Sequence, residues 1–259
     1  MKKRNSKVLS GLCAIAVLGG IWSSVVHAQA MEVKEKPRMY TYFATWQFPR
    51  ARWGEVEKAT ATTQKLLDQA ISGGTLVAYG DDSNLVHQPE GPTHDNWWSA
   101  LSEAGVLDVL DSVTKGGSPP VLASATKHAD AIYVSRFYNW RAGSYKGAYT
   151  HAASYKLKAD APEDAVESIS KNFIVPLMEK LLAAGAIVEY EVDVEAIHTE
   201  SPDMFWVDYI CPTSAGLDKA NAALGEAMKA NPFAGQALGS MVDLTPHRDF
   251  LSRTNATYK

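Results

Sequence analysis

The segment Gly74-Thr-Leu-Val-Ala-Tyr79 returns as Gly185-Ala-Ile-Val-Glu-Tyr190, 111 positions further on. The same offset carries Leu66 to Leu177, Val77 to Val188, Asp82 to Asp193 and His87 to His198, and Ala104-Gly105 to Ala215-Gly216. With a two-residue gap Trp97 falls on Trp206, and further on His128-x-Asp130 matches His247-x-Asp249 and Ser135-Arg136 matches Ser252-Arg253. Matches that share one offset from Leu66 to Gly105, continued by others at shifted offsets, mark an internal repeat. Whatever one copy packs into, the other must pack into as well.

Each copy reads as strand, helix, strand, strand, helix, strand. Tyr40, Tyr42, Ala44 and Trp46 alternate with Thr41, Phe43 and Thr45, the period of two that a strand requires, and Pro49 ends the run. Trp53, Val56, Thr60, Thr63 and Leu67 follow at helical spacing over about 50–71, and Gly73-Gly74 closes that helix. Strands at about 75–81 and 96–100, a helix at 102–114 and a strand at 131–140 complete the first copy. The second gives strands at 152–158, 187–194 and 205–210, a helix starting at Asp160, another at 213–229, and a last strand near Phe250. Pro176, lacking an amide N–H, should kink or split the long helix that contains it.

The chain opens Met1-Lys2-Lys3-Arg4, runs through an apolar stretch from Val8 to Val26, and offers small-residue cleavage positions at Ala28 and Ala30. This is the pattern of a removable export signal at 1–30, with repeats at 31–145 and 146–259. Ser10, Gly11, Gly19, Gly20, Ser23 and Ser24 interrupt the apolar run and argue against a membrane anchor. The expected location is therefore periplasmic or extracellular. Losing Lys2, Lys3, Arg4 and Lys7 with no acid takes the formal charge from −4 to −8, which makes nucleic acid and anionic membrane poor partners. Cys211 is then the one remaining thiol, so stability must come from packing rather than an internal disulfide.

In element order over the mature chain, the sequence resembles the ferredoxin-like dimeric α+β barrel superfamily, which includes the NIPSNAP, EthD and antibiotic-biosynthesis monooxygenase families. The resemblance implies an α+β fold in which two βαββαβ units pair their sheets face to face, helices outside, around a cleft that holds a small hydrophobic molecule or haem. Here a tandem repeat would build that pair within one chain. No family motif accompanies the resemblance, so no catalytic residue is carried over.

No G-x-S-x-G, H-E-x-x-H, C-x-x-C, P-loop or G-x-G-x-x-G is present, which argues against serine hydrolases, zincins, dithiol redox proteins and nucleotide enzymes. Candidate catalytic groups are His128 and Asp130, where a carboxylate two residues away can orient an imidazole, and Arg136, whose guanidinium suits an oxyanion. A turn cap and a surface ion pair are the structural alternatives for these groups. His87 and His198 could face one another across a pseudo-twofold site, although strand alternation puts them on the helix-packed side. Tyr42, Trp46 and Phe137 are the expected aromatic walls of a ligand cleft. Glu189, Glu191, Asp193 and Glu195 give one strand an acidic face, read as an exposed edge in preference to a barrel interior.

The expected function is binding of a small apolar or aromatic molecule between two sheets, with an oxidative transformation to follow. A haem- or metal-dependent oxidoreductase using His198 or His128, and a non-catalytic exported interaction module, are the alternatives. The sequence names no cofactor, and a homo-oligomer is compatible with it.

Overall fold

In the computed structural model, residues 36–259 are described apart from 118, 198, 200 and 201. The export signal and His198 therefore lie outside the described residues. The element order is β1 (Met39–Gln47), α1 (Trp53–Gly73), β2 (Ala78–Asn84), β3 (His94–Ala100), α2 (Glu103–Lys115) and β4 (Lys127–Trp140). It continues with β5 (Gly143–Leu157), α3 (Ala165–Ile169), α4 (Val175–Ala183), β6 (Glu189–Glu195), β7 (Met204–Cys211), α5 (Ser214–Ala230), α6 (Pro232–Met241) and β8 (Val242–Tyr258).

All eight strands close into one antiparallel barrel, in the order β1-β3-β2-β8-β5-β7-β6-β4. The first four strands are contiguous in this order and so are the last four, and β2 with β8 and β4 with β6 form the two seams. Alternation along each strand sends one set of side chains inward and the other out to the helices. Tyr42, Ala44, Trp98 and Ile132 form a buried cluster with Leu67 of α1 and Val106 and Val109 of α2. Tyr190, Val192, Phe205, Val207 and Tyr209 do the same with Met178, Leu181 and Leu182 of α4 and Ala220 of α5.

The repeated residues have repeated work. Tyr79 donates to Asp68 at 2.5 Å and Tyr190 to Glu179 at 2.7 Å, each tying strand to helix. Ser102 and Thr213 cap α2 and α5 by accepting from the amides of Gly105 and Gly216 at 3.1 and 3.2 Å. A Cβ on Gly216 would lie 2.4 Å from the Ala186 carbonyl oxygen, and one on Gly105 would be 3.2 Å from that of Thr75. At Gly216 only glycine lets the helix start so close to the segment that leads into β6.

Several boundaries move. β5 starts at Gly143 rather than 152, β8 covers 17 residues rather than a short run near Phe250, and α6 is an added helix. The long strands are partners: β5 pairs with β8 over most of its length, through two register shifts. At Pro176 the helix is broken as expected, with a π-helical turn at Ser170–Ile174 between α3 and α4.

Candidate functional site in the barrel interior

The inward set encloses a cavity of about 250 Å³. Its apolar wall is aromatic, with Phe43, Trp97, Tyr133, Trp206, Phe250 and Tyr258. Six carboxylic side chains share the lining: Asp82, Asp95, Glu189, Glu191, Asp193 and Asp208. No Lys, Arg or His is among the described residues that line it. The acidic stripe of β6 thus faces inward, contrary to the exposed edge expected from the sequence, because closing the sheet leaves no edge to expose.

Burial governs the electrostatics. Asp82 and Asp193 are each pushed up to about 6, chiefly by desolvation. Hydrogen bonds limit the rise: Trp97 Nε1 and Thr150 Oγ1 both donate to Asp82 at 2.9 Å, and Ser135 donates to Asp193. Asp95, Glu189, Glu191 and Asp208 are raised well above the carboxylate range, first by desolvation and then by their acidic neighbours. Glu191, Asp208 and Asp193 press on Glu189, and Asp193 and Asp208 press on Glu191. Three oxygens have no hydrogen-bond partner: Asp95 Oδ1, Glu189 Oε1 and Asp208 Oδ1. Asp95 and Glu189 are 5% and 2% exposed, while Asp208 keeps some contact with the cavity space.

The register corrects one match of the repeat. Trp97 lies opposite Gly80 and Asp95 opposite Asp82, whereas Asp208 lies opposite Glu191 and Trp206 opposite Asp193. Ungapped, Trp97 corresponds to Asp208 and Asp95 to Trp206. β3 and β7 each contribute one tryptophan and one aspartate to the cavity, with their positions exchanged. Gly80 makes room for its partner, since a Cβ there would meet the Trp97 ring at 2.5 Å.

The described candidate residues named from sequence fall outside this cavity. Tyr42 and Trp46 occupy the helix-facing side of β1, and the alternate residues Thr41, Phe43 and Thr45 face in. Phe137 packs in the helix core because β4 slips register between Ser135 and Phe137. Arg136, at that irregularity, pairs with Glu167 at 3.4 Å. His87 lies in the loop after β2, stacked on Trp53 with centroids 4.9 Å apart.

Four of those residues nevertheless meet one another on the outer face. Tyr42 donates to Asp130, Asp130 lies 3.2 Å from His128 Nε2, His128 Nδ1 donates to the Thr45 carbonyl at 3.0 Å, and its ring stacks on Trp46 at 3.6 Å. His247, Asp249 and Tyr155 repeat the arrangement, with the imidazole 3.3 Å from the carboxylate and bound to the Ser154 carbonyl. These clusters lock the first strand of each half to the last. His128→Ala is accordingly expected to cost about 1 kcal/mol in chemical denaturation, the scale of an exposed pair plus a stacked ring.

A closed eight-stranded α+β barrel with helices outside and a carboxylate-lined cavity is the class of protein that fold and site define. No family model and no curated protein matches the sequence. Among solved structures, a candidate monooxygenase from Lactobacillus acidophilus superposes with a TM-score of 0.61 at 10% identity, over 86% of this chain and 97% of that one. A candidate monooxygenase from Fusobacterium nucleatum gives 0.57 at 5% identity, over 86% and 94%. An anthrone oxidase-like protein gives 0.52 at 9% identity, again over 86% and 94%. At such identities the likeness is one of fold, of the dimeric α+β barrel type.

Proposed function

We propose that the chain binds a small molecule with an aromatic body inside the barrel. The observation that carries this reading is the 250 Å³ cavity walled by six aromatic rings. An apolar cavity of roughly 150 Å³ accommodates benzene, so this one has room for a single substituted ring. Carboxyl groups such as Asp82, at about 6, can accept or donate a proton near neutrality and so support proton transfer to or from the bound molecule. Fold likeness to the two candidate monooxygenases and the anthrone oxidase-like protein supports an oxidative transformation.

A haem does not suit this lining. The cavity wall has no histidine or cysteine among its described residues, and the carboxyls would face the haem's own propionates. His128 is held on the outer face between Trp46 and Asp130. No group of three or more His, Cys, Asp or Glu side chains among the described residues is arranged to hold a metal ion.

Tandem duplication is part of the proposal, supported by the twice-repeated element order and the matching strand orders of the two halves. So is export to the periplasm or cell exterior, supported by the basic and apolar start of the sequence. No described helix is long and apolar enough to cross a membrane.

Trp97 and Trp206 supply the test, because a ring bound between them changes their fluorescence. Titration with single-ring aromatic compounds is expected to give a saturable change. Ala152→Trp, which fills the cavity from β5, should weaken it at least tenfold while the circular dichroism is retained. An equal response from the filled variant would sink the proposal.

A further inference from the structure

We propose that the cavity selects a cation: a protonated amine carried on a single aromatic ring. This rests on the binding reading above and names the chemical class of its ligand. The first ground is a mismatch inside the barrel. Asp95 and Glu189 are almost wholly buried, line the cavity, and each keeps one oxygen without a hydrogen-bond donor. Buried polar atoms are normally satisfied, and a charged one left unmet is costly. A ligand bearing N–H donors would supply what the fold withholds.

The second ground is the ring system. Phe43, Trp97, Tyr133, Trp206 and Tyr258 present their rings to the same space as the carboxyls. Aromatic faces attract organic cations, and a desolvated cation–π contact is worth more than an exposed one. An anion finds no opposite charge here: every charged side chain among the described lining residues is acidic. A wholly apolar ligand would use the rings and leave the oxygens as they are. An ammonium on an aromatic ring uses both.

Protons stand in for the cation when it is absent. The carboxyls come from β2, β3, β6 and β7, and facing them are Tyr133 of β4, Tyr258 of β8, Thr41 and Thr45 of β1 and Thr150 of β5, with no basic group among the described lining residues. The raised carboxyls hold protons that an arriving positive charge would expel. Amine binding should therefore release protons and tighten as pH rises from 6 to 8.

The probes are 2-phenylethylamine, its neutral counterpart 2-phenylethanol, phenylacetate, and the chlorides of manganese and calcium. Titration calorimetry on the full mature chain, repeated in buffers of different ionisation enthalpy, is expected to show the amine bound at least tenfold more tightly than the alcohol, with proton release and no phenylacetate binding. In Asp95→Asn/Glu189→Gln, the amine's advantage should fall to near parity while the alcohol's affinity is kept. Equal binding of alcohol and amine by the wild type would overturn the cation inference and leave the aromatic cavity standing. Binding of the metal chlorides without the amine would overturn it in favour of an inorganic ion. No binding by any probe, with the Ala152→Trp variant indistinguishable from wild type, would remove the binding reading itself. Should the double variant not fold, the wild-type selectivity and proton release decide the matter.

Discussion

Between pH 6.5 and 8 the chain is expected to lose stability steadily, by about 1.4 kcal/mol per pH unit for each proton the folded barrel retains. A carboxyl whose folded pKa is raised holds a proton that the unfolded chain has already released. Its stabilising contribution is complete below the unfolded value and disappears as pH climbs through the folded one. Glu189, Glu191, Asp95 and Asp208 are all raised well above the ordinary range, so they add to the loss that Asp82 and Asp193 undergo up to about pH 6. Below that pH the picture is mixed. Asp82 and Asp193 lose stability on the way up to about 6, whereas buried His94, depressed to about 4, gains it over the window in which an unfolded histidine is charged. Urea unfolding at pH 6.5, 7.25 and 8 measures the slope. Glu189→Gln removes the carboxyl pressed by Glu191, Asp208 and Asp193, so it should raise stability at pH 8 and flatten the slope. A slope of zero in the wild type, or a less stable variant at pH 8, would show that these carboxyls ionise freely in the fold.

Gly216→Ala is expected to destabilise by about 2 kcal/mol or more, or to prevent soluble expression, because its methyl group must occupy a point 2.4 Å from the Ala186 carbonyl oxygen. The obstacle is backbone, which cannot rotate aside like a side chain. Gly225, on the exposed surface of the same helix, has no atom within 4 Å of its would-be Cβ. Gly225→Ala should stabilise by about 0.5–1 kcal/mol through helix propensity alone. Thermal melts of the pair separate the two effects, and similar behaviour of the two variants would contradict the close approach of α5 to the strand entry.

Element order and most boundaries were legible because each is written in local periodicity. Asp82 and Asp193, matched by the repeat, both turn out to line the cavity. The aromatic wall was misassigned for a reason of parity. On β1 the larger rings of Tyr42 and Trp46 serve the helix core, and the face with two threonines and Phe43 serves the cavity. Alternation separates two faces but does not say which one is inside, and in a barrel clad with helices both are buried. The acidic stripe on β6 could have decided it, since carboxyls can be tolerated in a cavity but not beneath packed α4 and α5. His128 and Asp130 were correctly paired with each other but lie on the face away from the cavity, because spacing reveals a contact and not the side of the sheet on which it lies.

Closure of the barrel within a single polypeptide has a consequence for the shape of what it can recognise. Two identical subunits related by a twofold axis must present identical halves, and their shared chamber can have no preferred sense about that axis. Here Trp97 stands where the other half has Asp208, and Asp95 where it has Trp206. The chamber is therefore handed from one side to the other, and a guest with unlike ends has one orientation that suits it.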